Sequence, residues 1–308
     1  MVTWTSKKMT SRARVVMLSS LAMFAFAANS VLARMALAET PIDPALFSVV
    51  RLVSGAVFLV MFVVFGPPFV QSEQKSYRRW AQRLESVCRA GSWCSALALF
   101  TYAVAFSFAY LSLSTGTGAL ILFGAVQAAM LGYGWRQGDR FARRQWRGFV
   151  LACGGVAFLL APGVQAPTVS GALMMAVAGL AWASYTLRAS ATDPTLVSAG
   201  NFLRTLPLCA VLSVLAHAYM QVDAVGLLYA ALSGIVTSGA GYVVWYAVLP
   251  QLRVTHASSV QLSVPALAAA MGFVLLGEAL DLRLIVSTLA ILAGLGIVLR
   301  YKASAPTQ

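Results

Sequence analysis

Two arginines stand inside otherwise apolar runs of the chain. Arg51 follows Asp43-Pro44-Ala45-Leu46-Phe47-Ser48, and Arg204 follows Asp193-Pro194-Thr195-Leu196-Val197-Ser198. A guanidinium is planar and presents a fork of N–H donors that matches a carboxylate or a phosphate. At the centre of an apolar helix it costs about 2.5–3.5 kcal/mol on insertion scales, so it needs a partner, water or a ligand. No acid lies deep in the same runs: Glu39, Asp43, Asp223, Glu278 and Asp281 fall at the ends of apolar stretches. Two readings stay open for each arginine: a cationic contact for an anionic substrate, and a long side chain snorkelling to lipid headgroups. Asn29, Tyr102, Gln127, Trp182, Tyr185 and Gln261 are the other candidates for substrate contact. A cavity for a small solute wants apolar walls with a few placed polar groups, and hydrogen bonding between helices is the alternative role for the amides. Trp182 and Tyr185 are three apart and share a helix face. Pro265 lacks an N–H and is expected to kink its helix; gating at that kink and static curvature are both open.

Neither catalytic nor metal chemistry is expected. Cys88, Cys94, Cys153 and Cys209 form no CxxC pair and read as small buried hydrophobes. The two histidines, His217 and His256, have no acidic company. No cofactor is implied.

The elements that must position these residues are membrane spans. Of 308 residues, 60% are hydrophobic and 10% charged, with a mean hydropathy of +0.80; a soluble domain carries roughly 25% charged residues. The net charge of +13 does not mark a nucleic-acid binder, because the bases cluster in loops between apolar runs and form no solvated domain. A span needs about 20 apolar residues. Charge-free runs, divided where Ser, Thr, Gly and Pro cluster, give ten spans at about 15–37, 45–66, 90–111, 117–136, 145–161, 168–188, 196–217, 223–248, 256–277 and 282–301. With the N-terminus in the cytoplasm, all but four of the 22 basic residues face the cytoplasm. Arg283 alone lies in an outer loop, and Arg34, Arg51 and Arg204 fall inside spans. Both termini are therefore expected in the cytoplasm. The stretch Tyr77 to Leu84 reads as an interfacial amphipathic helix, with an ordinary basic loop as the alternative. Trp245 and Tyr246 are expected in an interfacial aromatic belt. The basic N-terminus followed by an apolar run has the shape of a signal peptide, but an internal repeat uses that first span.

The repeat begins with the doubled Asp-Pro stretch, whose copies lie 150 residues apart. Gly138-Asp139 matches Gly277-Glu278, and Gly155 matches Gly294, both at a spacing of 139. Phe26-Ala27-Ala28-Asn29-Ser30 stands where Trp182-Ala183-Ser184-Tyr185-Thr186 stands in the second copy. Each unit holds five spans. Five is odd, so the second copy enters the membrane from the opposite side, an inverted pair of a kind that transporters use. The expected fold is thus all-α and integral to the membrane, ten transmembrane helices as two inverted five-helix repeats. The repeats cover 15–162 and 163–302, between an N-terminal segment 1–14 and a tail 303–308.

These residues carry a family resemblance. The chain resembles the EamA type of the drug/metabolite transporter superfamily through Asn29 in the first span and Trp182-Ala183-Ser184-Tyr185-Thr186 in the sixth. Ala257-Ser258-Ser259, Pro265 and Leu276-Gly277-Glu278-Ala279-Leu280 add to it in the ninth, and Ala293-Gly294-Leu295-Gly296 in the tenth. Where the family often has Trp-Gly in the first span, this chain has Phe26-Ala27. The resemblance implies an exporter of amino acids or related small metabolites in the cell inner (plasma) membrane, not an enzyme. Its partners would be a small-molecule substrate and membrane lipids, and its state monomer or homodimer. An integral membrane enzyme acting on lipids and a non-transporting membrane sensor are the alternatives.

Overall fold

A computed structural model describes residues 11–66, 80–137, 142–163, 166–188, 193–252 and 260–300. Among them every regular element is a helix. In lipid a spanning backbone must satisfy its own hydrogen bonds, and a helix does so within one segment. Local capping chemistry sets where the helices begin. Helix α1 covers Ser11–Glu39 and α2 covers Pro44–Phe65. Asp43 starts α2: its Oδ1 accepts from the N–H of Ala45 at 2.7 Å and of Leu46 at 3.2 Å. Pro44 fills the first helical position, where no N–H is needed. The same device opens α8 (Pro194–Ala216), where Asp193 Oδ1 accepts from Leu196 at 3.1 Å. The doubled stretch is a doubled helix start.

Helix α3 (Trp80–Arg89) meets α4 (Trp93–Ala109) at an 81° bend, turned by Gly91 at φ 80°. Ser114 caps α5 (Thr115–Arg136), α6 covers Arg143–Leu160, and Thr168 caps α7 (Val169–Leu187). Asp223 caps α9 (Ala224–Leu232). A π-helical segment, Ser233–Ala240, joins α9 without a break to α10 (Gly241–Val248). Helices α11 (Ser263–Leu276) and α12 (Leu282–Arg300) complete the described chain.

Six of these segments are each long and apolar enough to cross a membrane: α1, α2, α5, α7, α8 and the α9–α10 run. The chain is a multi-pass α-helical membrane protein. The other four expected spans correspond to α4, α6, α11 and α12. Helix α4, 17 residues long, meets the length only together with α3, which bends away from it. Helix α6 opens on Arg143, Arg144 and Arg147, and α11 is 14 residues long.

Helix α1 packs against the α9–α10 run and against α11, while α7 packs against α4 and α5. Helix α2 lies on α8, α5 on α11, and α6 on α12. The α6–α12 contact is backbone-close: a Cβ on Gly294 would stand 2.5 Å from the Gly148 carbonyl oxygen. Gly155 lies at the same contact, whereas Gly154 and Gly296 have no neighbour within 4 Å.

Several expectations change. Pro265 is the third residue of α11, where its missing N–H leaves no bond unmade. Its ring would collide with a helical carbonyl at Gln261, and the helix breaks at Leu262 instead of bending in mid-span. Trp245 and Tyr246 are buried within the bundle, not displayed in a belt. Only Cys209 is a buried cysteine; Cys88, Cys94 and Cys153 are exposed. The basic stretch after α2 is helical over Trp80–Arg89. Tyr77 to Arg79, Gly138-Asp139, His256 and Ala257-Ser258-Ser259 lie outside the described residues.

Candidate functional site

Polar side chains buried between α1, α2, α4 and the π segment converge on Arg51. Its side chain does not snorkel: the residue is 2% exposed and points into the bundle. Its Nε donates to Ser238 Oγ at 3.2 Å and its Nη2 to the Tyr102 hydroxyl at 3.1 Å. The guanidinium carbon lies 5.1 Å from the Tyr102 ring centre and 4.8 Å from that of Phe106. Each ring face attracts the cation by about 0.5–2 kcal/mol. The third nitrogen, Nη1, is buried and has no hydrogen-bond partner. Side-chain ion pairs join Arg34 to Glu278 and Arg89 to Glu85, and among the described residues no carboxylate pairs with Arg51. A buried ion without a counter-charge carries a penalty of several kcal/mol.

Asn29 stands beside it. Its Oδ1 accepts from Ser233 at 2.7 Å and Thr237 at 3.0 Å, and its Nδ2 donates to the Tyr102 hydroxyl at 3.5 Å. Two hydrogen bonds hold the amide carbonyl on the π segment and one ties the amide nitrogen to α4, so the four elements share one polar network. The cavity that these groups line also touches Phe26, Trp182 and Tyr242. It measures about 20 Å³, room for the centre of about one water.

Polar groups extend from the cavity toward both ends of the bundle. On one side Phe106 packs edge-to-face on the fully buried Tyr110 at 4.7 Å. Beyond Tyr110, Arg34 Nε pairs with Glu278 Oε1 at 3.2 Å and its Nη1 donates to the Tyr110 carbonyl at 2.9 Å. Glu278 also accepts from the Thr115 N–H at 2.8 Å, capping α5. This cluster floors an open recess that contains Ser112, Ser114 and Asp281. On the other side Trp182 packs against Tyr185 at 5.6 Å between tilted rings, and the Tyr185 hydroxyl donates to Ser198 at 3.3 Å. Tyr185 faces a second small cavity with Arg188, Asn201 and Tyr246.

Of the residues proposed from sequence, Asn29, Arg51, Tyr102 and Trp182 therefore meet at one cavity, and Tyr185 sits one layer away. Gln127 is buried on α5, one turn past the cavity-lining Phe123. Gln261 is buried just ahead of α11. The structure takes Arg204 out of this set. Its Nη1 donates to the carbonyls of Ala90 and, at 3.0 Å, Gly200, and its Nη2 to that of Cys88 at 2.9 Å. The C-terminal carbonyls of a helix lack intrahelical donors and carry partial negative charge, and Arg204 closes the end of α3. Counted from the two capping aspartates, the residue of α8 that corresponds to Arg51 is Asn201, and Arg204 lies one turn further on. Asn201 Oδ1 accepts from the Ser92 N–H at 2.9 Å.

Sequence reasoning missed Ser233, Thr237 and Ser238. Their signal was present: three hydroxyls within six residues of an otherwise apolar run. What it lacked was the π register that turns Ser238 toward α2; such segments recur at functional sites.

Residues 169–300 match a family model described as the EamA-like transporter family. The uncharacterized protein PA1977 of Pseudomonas aeruginosa is 47% identical over 287 residues, spanning 93% of this chain and 94% of that one. A solved crystal structure of a protein superimposes with a TM-score of 0.61 at 17% identity, covering 94% of this chain and 98% of the other. At that identity the likeness is one of fold.

Proposed function

Because the chain belongs to the EamA-like transporter family, we propose that it exports amino acids or related small metabolites by alternating access between two inverted five-helix repeats. The observation that carries this reading is the polar cavity at Arg51 and Asn29, enclosed largely by aromatic rings within an apolar bundle and continued toward both ends by polar groups. A solute passing through the bundle would meet these groups in turn. In the present state the cavity is too small for a metabolite, so binding requires the helices around it to part.

The helix pairing supports the repeat. The contacts of α1 with α9–α10 and α11 are matched by those of α7 with α4 and α5. Helices α2, α5 and α6 each lie on their own counterparts, α8, α11 and α12. A pseudo-two-fold axis relating 15–162 to 163–302 requires this pattern. Two such halves exchange conformations at little net cost, which gives an outward-open and an inward-open state. With ten spans and both termini in the cytoplasm, the Arg34–Glu278 cluster guards the outer end and the Tyr185 layer the inner one.

Purified protein in liposomes, loaded with a mixed metabolite pool, tests transport directly: at least one component should exchange faster than across protein-free liposomes. No flux of any component would refute the reading. For topology, Arg283→Cys in a background without the four native cysteines should react with a membrane-impermeant maleimide added outside whole cells. Protection there would overturn the inverted arrangement.

A further inference from the structure

We infer that the transported solute is a monocarboxylate, and that its carboxylate binds Arg51 through Nη1, the nitrogen that no protein atom engages. The inference rests on the transporter reading and adds the chemistry of the cargo. Arg51 combines three properties: it is 2% exposed, it has no acidic partner among the described residues, and one face of its fork is unsatisfied beside a cavity. A guanidinium engaged on two nitrogens and open on the third is already oriented, so an arriving oxyanion loses little in fixing it. The residues lining the cavity include one cation and no acid. A single negative charge neutralises the site; a dianionic phosphate would leave a charge uncompensated in an apolar bundle.

The same inventory sets the rest of the molecule. An ammonium group needs an acceptor, and the Asn29 carbonyl oxygen already takes two hydrogen bonds. The remaining walls are mainly apolar, Phe26, Phe106, Leu122, Phe123, Trp182 and Tyr242, with the hydroxyls of Ser30 and Thr237 among them. They favour an apolar body, and a zwitterion would bring a second cation to a lining that holds no acid, so a 2-oxo acid fits better than its amino acid.

The test is ligand-induced stabilisation of the full-length protein in detergent. The probes are acetate, pyruvate, 4-methyl-2-oxopentanoate and phenylpyruvate, with leucine, phenylalanine, the primary amides of the four acids and inorganic phosphate. Carboxylates with an apolar body should raise Tm most; their amides and phosphate should not. Arg51→Gln should weaken carboxylate binding by about 30-fold or more, because one partner of a desolvated charge pair is gone, and Arg51→Lys should restore part of it. Arg51→Met serves as a fold control, and removal of an uncompensated buried charge predicts a ligand-free Tm at least equal to that of the natural protein. Stabilisation by amides as strong as by acids, no stabilisation by any carboxylate, or an unchanged response in Arg51→Gln would overturn the inference. A drop in the ligand-free Tm of Arg51→Met would do the same, by assigning Arg51 to structure. Flux assays judge the transporter reading separately: carboxylate binding without flux would sink that reading and leave the site standing.

Discussion

Arg51 and Arg204 enter the molecule in the same way and end in different roles. Both follow an Asp-Pro helix start, and both lie in the apolar helices α2 and α8, which pack on each other. The Arg204 side chain is filled by backbone carbonyls at the end of α3. Arg34 does the same at the end of α4, Arg83 at the end of α2, and Arg283 at the end of α6. Carbonyls at a helix C-terminus are permanent acceptors, so these arginines join elements. Arg51 meets neutral hydroxyls and ring faces, and keeps one nitrogen unengaged. An arginine filled by carbonyls and one that keeps a nitrogen unengaged differ in what stands opposite them, not in residue type or setting.

Substitutions can break or sharpen this contrast. The largest effect is expected from Arg51→Gln, which should abolish most solute exchange in liposomes while leaving expression and ligand-free stability close to the natural protein. Next, Gly234→Ala should cost about 1–3 kcal/mol by overpacking, because its Cβ would stand 2.2 Å from the Arg51 carbonyl oxygen. It should also weaken solute binding, since the π segment carrying Ser238 is pushed off α2; a lower Tm with unchanged affinity would show that the π segment does not position Arg51. Arg204→Gln should give the reverse pattern of Arg51→Gln. Loss of charge-assisted bonds to carbonyls costs about 1.5–3 kcal/mol, read as a lower Tm, with solute affinity unchanged within about twofold. A loss of affinity without a loss of stability would put Arg204 back in the site. The smallest effect is expected from Glu278→Gln. The partly exposed pair with Arg34 contributes about 1 kcal/mol or less, so Tm should hardly move. A cysteine placed at Ser114 should nevertheless react faster with a polar maleimide, because the ion pair that floors the recess is loosened.

Much of the architecture was legible along the chain. Apolar runs of about 20 residues, broken by clusters of Ser, Thr, Gly and Pro, placed each helix near its observed position. Asp43-Pro44 and Asp193-Pro194 announced helix starts because an N-cap carboxylate followed by proline is a local device that needs no tertiary partner. Asn29, Arg51, Tyr102 and Trp182 were legible as site candidates because a polar group in an apolar run must find company. Arg204 satisfied the same rule and misled, since its company is backbone, which has no signature in side-chain pattern. Pro265 misled for a related reason: its effect depends on where α11 begins, and the break at Leu262 decided that. Trp245 and Tyr246 were assigned to a belt because an aromatic near a span end looks alike whether it faces lipid or a neighbouring helix.

The sequence by itself determined a multi-pass helical membrane protein, its paired Asp-Pro helix starts and its family, because hydropathy and capping are short-range properties written in consecutive residues. Only the tertiary structure decided which of two similar arginines keeps a nitrogen unengaged. That depends on residues 187 apart, Arg51 and Ser238, and on carbonyls 114 apart, Ala90 and Arg204. It depends as well on the π turn that sets Ser233, Thr237 and Ser238 against α1 and α2. Contacts of that range are fixed by packing whole helices together, and packing is where an unpaired charge becomes visible.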